Sequence, residues 1–152
     1  MLAEAPAPVG TAPLVVTFKV GRQSYALPLG VVLQVVRLPA LTTVPGAPPG
    51  LCGMLNLRGN FIPVLDAHVI LEEPPSVGLE SQILVLSNGI GERPVCSLMV
   101  DAVEMVRQFP PGSFAPLTNG NDLVVGMLRE RDEAVVVLDA EALAAHAAHR
   151  GT

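Results

Sequence analysis

The sequence predicts an all-β fold of about nine or ten short strands with one or two short helices, arranged as a barrel or a sandwich. Three observations lead there. Gly (14) and Pro (15) make up near a fifth of the 152 residues, and both residues interrupt helices. Half of the chain is apolar and only 15% is charged, which supplies a core and excludes a disordered chain. Apolar and polar residues alternate over several short stretches that end in turn residues. The length allows one domain, or two small lobes sharing a core.

The elements follow in order. Residues 1–13, with Pro6, Pro8 and Pro13, lack a basic start and an apolar run, and read as a flexible lead instead of a signal peptide. In Leu14–Val20, Leu14, Val16, Phe18 and Val20 share one face against Val15, Thr17 and Lys19, the pattern of a half-buried strand. A turn at 21–24 and a strand at 25–29 complete a hairpin. Residues 30–37 fit two templates. Their β-branched content favours a strand, but Val32, Val35 and Val36 share a helical face after Pro28, and the expectation is a short helix. Residues 39–49 are a Pro-rich loop with an extended piece near 41–44.

Strands at 50–57 and 61–65 flank Arg58-Gly59-Asn60, a hairpin signal. Pro63 cannot donate to a ladder, so an edge or a bulge is expected there. The polar stretch 72–80, with Pro74, Pro75 and Gly78, is the expected boundary between lobes. Strands at 83–86 and 94–100 flank a turn with Asn88-Gly89, and 103–108 extends that ladder. An irregular loop at 110–121 precedes a last hairpin, 123–128 with 134–138. Asp139 is placed to cap an Ala-rich closing helix over 140–149.

The net charge is −5, and Lys19 is the sole lysine among nine cations. Nucleic-acid binding through a basic face is excluded, because phosphate contacts need clustered Lys and Arg. Residues 1–71 carry four cations against two acids, whereas 72–152 carry five against twelve. No run reaches the roughly 18 apolar residues that span a bilayer. Cys52 and Cys96 lie in apolar runs and read as buried small hydrophobes in a reducing compartment.

Catalytic patterns are thin. His146 and His149 share a helix face but need a further ligand to hold a metal. His68 reads as a surface residue with no nucleophile beside it in sequence. No serine sits in a Gly-x-Ser-x-Gly elbow, and no phosphate-binding loop ends in Gly-Lys. Asp66 and Asp101 each end an apolar strand. They could pair for hydrolysis, but strand-end aspartates more often accept backbone N–H bonds in the next turn. These residues therefore point to a binding module, with no catalytic residue, cofactor or metal.

The most informative segment is 53–66, Gly-Met-Leu-Asn-Leu-Arg-Gly-Asn-Phe-Ile-Pro-Val-Leu-Asp. A lone arginine, Arg58, stands at the tip of an apolar hairpin, and with Phe61 it could form a protruding docking point. The segment resembles the hallmark of CheW-like domains, the coupling scaffolds of bacterial chemotaxis. That family shows Gly-x-x-Asn-Leu-Arg-Gly-x-x-x-Pro-Val-x-Asp, matched by Gly53, Asn56, Leu57, Arg58, Gly59, Pro63, Val64 and Asp66. Phe18 to Pro28 is similar to the family's first hairpin. The run 97–103, with Asp101, is similar to its hydrophobic Val-Asp-x-Val segment, and 123–126 with 135–139 to its final hairpin. The resemblance covers about 14–145, one whole domain.

The resemblance implies a fold of two small interlocked SH3-like β-barrels within that single domain, followed by a C-terminal end at 146–152. It implies a cytoplasmic, non-enzymatic adaptor, membrane-associated only through receptor arrays. One partner would be the regulatory domain of a CheA-type histidine kinase, and the other the cytoplasmic tip of chemoreceptors. Arg58 carries over to the receptor-facing region, with Phe61, Val32, Gln34 and Val35 around it.

Two departures mark a divergent or accessory coupler, for chemotaxis or a related pathway such as twitching motility. Gln34 stands where the family often has an acid that pairs with the hallmark arginine. Asp66 is followed by Ala67-His68 where the family frequently has Asp-Leu-Arg. Two other classes stay open on sequence alone. One is a small β-barrel enzyme or ligand-binding domain using Asp66, Asp101 and Cys52; the other is a self-associating assembly protein.

Overall fold

The computed structural model describes residues 13–37, 41–74, 81–89, 91–117 and 120–151, the last three without their side chains. The lead at 1–12, most of the 72–80 connector and the side chain of His149 lie outside the described residues.

Leu14–Val20 (β1) and Gln23–Pro28 (β2) form the first hairpin. A 3-10 turn at Leu29–Val31 leads into Val32–Arg37 (β3). The helix expected at 30–37 is thus a strand. Its residues pair with Gln82–Leu86 (β6), and that partner lets the β-branched side chains prevail over the helical spacing. Leu51–Leu57 (β4) and Asn60–Asp66 (β5) form the second hairpin, followed by a single helical turn, Ala67–Ile70 (α1). Cys96–Val100 (β7) pairs with β6 on one side and runs parallel to β5 on the other. These strands make a five-stranded sheet ordered β3-β6-β7-β5-β4.

At Asp101 the chain crosses to the other sheet. Ala102–Gln108 (β8) pairs with β1, so it does not extend the β6–β7 ladder as expected. The loop expected at 110–121 holds a short strand, Phe114–Pro116 (β9), paired with Val124–Glu130 (β10). Glu133–Leu138 (β11) closes the last hairpin and runs parallel to β2. The second sheet is ordered β8-β1-β2-β11-β10-β9, and both sheets are open. Asp139 caps Ala140–Gly151 (α2) through Oδ1, which accepts from the backbone N–H of Glu141 (3.0 Å) and Ala142 (3.3 Å).

The lobes interlock because the chain begins one, builds the other whole, and returns. The crossings fall after β2 and at Asp101. The connector at 72–80 joins α1 to β6, both on the five-stranded side, so it is not the lobe boundary.

Period-2 alternation serves two cores at once. Leu84 and Leu86 of β6 face the seam between the sheets, while Ile83 and Val85 fill the five-stranded lobe. Phe18, Val20, Tyr25 and Leu27 of the first hairpin also face the seam, and Val15 and Ala26 fill their own lobe. For this reason β1 is buried on both faces, not half-buried. Among the described residues the seam cluster has 17 buried members, against five and four in the lobe cores. Each fully buried large apolar side chain contributes roughly 1.5–3 kcal/mol. The seam, with Leu143 and Ala147 of α2 in it, therefore dominates stability and the lobes are not independent.

Candidate functional site

The hallmark segment is the β4–β5 hairpin. Its turn is Arg58-Gly59, with φ +54 and +87, and two such positive values match the right-handed twist of the flanking strands. Asn56 Oδ1 accepts from Gly59 N at 2.9 Å and fixes the turn from within. Gly53 serves a different purpose. A Cβ there would lie 2.6 Å from the Thr42 carbonyl oxygen. The close approach lets Thr42 and Met54 exchange backbone hydrogen bonds of 3.0 and 2.8 Å, which dock the Pro-rich loop on β4.

Pro63 occupies neither an edge strand nor a bulge, since β5 lies between β4 and β7 and the hairpin's register shift falls between Leu51 and Gly53. Its partner Met54 spends its backbone groups on Thr42, and the β7 ladder begins one residue later, at Val64. The missing N–H is therefore never required there.

Arg58 stands in the hairpin turn and Phe61 one residue into β5. Phe61 is 57% exposed, a large apolar ring left in solvent. Arg58 forms no ion pair or hydrogen bond among the described residues. Val32, Gln34 and Val35 lie on β3, the far edge of the same sheet, with β6 and β7 between. Val35 is 43% exposed, whereas Val32 packs partly against the seam. No hydrogen bond joins Gln34 to Arg58 among the described residues. The five positions thus fall on two elements, the β4–β5 hairpin (Arg58, Phe61) and strand β3 (Val32, Gln34, Val35).

Asp66, His68 and Asp101 converge, which sequence spacing did not reveal. Asp66 Oδ1 accepts from His68 N at 3.0 Å and caps α1. His68 Nε2 lies 3.0 and 3.1 Å from the two Asp101 oxygens. Asp101 Oδ2 also accepts from Gly21 N at 2.7 Å. Both carboxylates are committed to backbone N–H groups, and His68 is only 15% exposed, not a surface residue. Cys52 is free, and burial, with Asp66 nearby, pushes its thiol up to about 12. Cys96, buried in the seam, is also pushed up to about 12. A nucleophilic cysteine needs the opposite shift, so Asp66, Asp101 and Cys52 serve as turn acceptors and packing. Among the described residues no group of His, Cys, Asp or Glu could hold a metal ion.

Comparison with known proteins agrees with this construction. A family model described as CheW-like domain matches residues 14–148. "Chemotaxis protein CheW" of Bacillus subtilis is 30% identical over 82 residues, about half (53%) of each chain. "Protein PilI" of Pseudomonas aeruginosa is 26% identical, covering 85% of this chain and 74% of that one. The crystal structure of scaffolding protein TtCheW from Thermoanaerobacter tengcongensis superposes with a TM-score of 0.74 at 25% identity, over 84% of this chain and 88% of that one. With the hallmark hairpin, the SH3-like two-lobed β fold and a match across nearly the whole chain, this protein belongs to the CheW-like domain family, the scaffold proteins of chemotaxis and related pathways.

Proposed function

We propose that this chain is a non-enzymatic adaptor that couples chemoreceptors to a CheA-type histidine kinase. The observation that carries the reading is the tip of the hallmark hairpin. There Arg58 and the exposed ring of Phe61 stand on a turn held rigid by two positive-φ residues and the Asn56 cap. A rigid tip loses little side-chain and backbone freedom on binding, which favours a docking point. In this reading Arg58 and Phe61 face the receptor tip, with Val32, Gln34 and Val35 on the β3 edge. The kinase regulatory domain binds an apolar edge of the lobes. Holding one partner then raises the effective concentration of the other, so kinase control follows from geometry.

No described helix is long and apolar enough to cross a membrane. The adaptor would work in the cytoplasm, at the membrane only through its receptors. Similarity to PilI and to the FrzA protein of Myxococcus xanthus, 29% identical over 106 residues, supports chemotaxis or a sibling pathway such as twitching motility.

A pull-down with the host's chemosensory kinase and receptors tests the reading. Wild type is expected to retain both. Retention of neither overturns it.

A further inference from the structure

The Asp66–His68–Asp101 cluster lies across the lobe boundary. Asp66 ends β5 and His68 belongs to α1, both on the five-stranded side. Asp101 is the residue at which the chain passes to the six-stranded sheet, and Gly21 is the turn of the β1–β2 hairpin in that sheet. The contacts run in series: Asp66 Oδ1 to His68 (N 3.0 Å, Nδ1 3.4 Å), His68 Nε2 to Asp101 (3.0 Å), Asp101 Oδ2 to Gly21 N (2.7 Å). A second contact runs beside the first. Glu73 N donates to His68 O (2.9 Å), and the Glu73 carboxylate accepts from Tyr25 Oη (2.5 Å) on β2. Gly21 stands at φ +63, a conformation that favours glycine, with the Glu73 carboxylate packed close against it.

The segment from Ala67 to Glu73 is thus a strap that starts on one sheet and grips the first turn of the other. The apolar seam holds the two lobes together without strong directional preference, and charge-assisted hydrogen bonds add the directional contacts that fix their relative orientation. We propose that this strap is an interlobe latch, in which His68 is the positioning residue that orients the Asp101 carboxylate toward Gly21 and so sets the angle between the lobes. The histidine stands where the family's Asp-Leu-Arg would place an arginine. An imidazole reaches Asp101 with one donor nitrogen where a guanidinium offers several, so the His68 arm of the latch, beside the Glu73–Tyr25 arm, hangs on one ring nitrogen.

For the adaptor proposed above, the latch sets the angle at which surfaces on the two lobes are held. The latch itself is tested on the chain alone, so its failure and the failure of the adaptor reading are distinguishable. NMR supplies both readouts, amide hydrogen exchange and residual dipolar couplings. In wild type the Gly21 amide is expected to be protected, and couplings from both sheets to fit one alignment tensor. In His68→Ala, Gly21 should exchange at least tenfold faster, with Val85 in the five-stranded core unchanged, and the two sheets should need separate tensors. His68→Gln, whose side-chain amide can still donate to Asp101, should behave as wild type. An unprotected Gly21 in wild type overturns the proposal, as does His68→Ala with wild-type exchange and a single tensor. Equal loosening by Ala and Gln overturns it as well.

Discussion

Replacing Gly53 by alanine tests how the hallmark hairpin is built. The added Cβ would lie 2.6 Å from Thr42 O and 3.3 Å from Leu41 Cβ, at a backbone φ of +156. Backbone carbonyls cannot rotate aside as a flexible side chain can, so the Pro-rich loop must leave β4. Two hydrogen bonds are then lost, Thr42 N to Met54 O and Met54 N to Thr42 O. Each contributes about 0.5–1.5 kcal/mol net, and the strained conformation adds a cost of about 1 kcal/mol. The expected destabilisation is about 2–4 kcal/mol. Gly59→Ala is the control: its φ is +87, but nothing lies within 4 Å of the added methyl. Only the conformational term of about 1 kcal/mol applies. Urea unfolding of the three proteins measures both values, and amide exchange at Thr42 and Met54 locates the damage. Equal losses in the two variants would refute the close-approach argument, as would Gly53→Ala within 0.5 kcal/mol of wild type.

Three further outcomes follow from particular contacts. Cys52 and Cys96, both pushed up to about 12 by burial, should react with iodoacetamide at pH 8 about a thousandfold more slowly than in urea, where thiols titrate near 8.5; comparable rates would contradict their placement. Both thiols hold their protons more tightly folded than unfolded. Their contribution to stability is therefore full below about pH 8.5 and is lost as pH rises toward about 12, so urea midpoints should fall above pH 9. Arg107 lies 4.2 Å from the buried Phe109 ring and pairs with Glu133 (2.6 Å) and Glu130 (3.3 Å), joining edge strand β8 to the β10–β11 hairpin. Arg107→Ala should cost about 1 kcal/mol, mostly from stacking because the partly exposed pairs are screened; a loss abolished by 0.5 M NaCl would assign it to the ion pairs instead.

What the sequence made legible was local. The hairpin 51–66 shows its strands and its turn in one stretch, and the alternation in Leu14–Val20 marks a strand end to end. What stayed hidden depended on distant partners. Val32, Val35 and Val36 fit helix and strand equally, and only pairing with Gln82–Leu86 decides between them. The alternation of 102–108 announces a strand but not its sheet, and the crossing at Asp101 needs the pairing with β1. The three-residue strand Phe114–Pro116 is too short for any period, and its mark is Gly126 opposite, where a Cβ would collide with the Phe114 ring. Pro63 misled because the rule about proline in strands concerns hydrogen-bonded positions, and this one has no donor to supply. At the candidate site, the Arg58–Phe61 tip was visible in the motif. The His68–Asp101 contact joins residues 33 apart, and its one sequence signal was the histidine in place of the family's arginine.

If this scaffold binds two partners through separate surfaces, as proposed, Arg58 belongs to the receptor surface alone. Fluorescence anisotropy with a labelled receptor-tip fragment and a labelled kinase regulatory domain, each titrated with wild type and Arg58→Ala, tests it most directly. Loss of a central interface arginine costs about 2 kcal/mol or more, so receptor affinity should fall at least tenfold in the variant while kinase affinity stays within twofold. Equal receptor affinity for the two proteins, or parallel loss of both partners, would contradict the account.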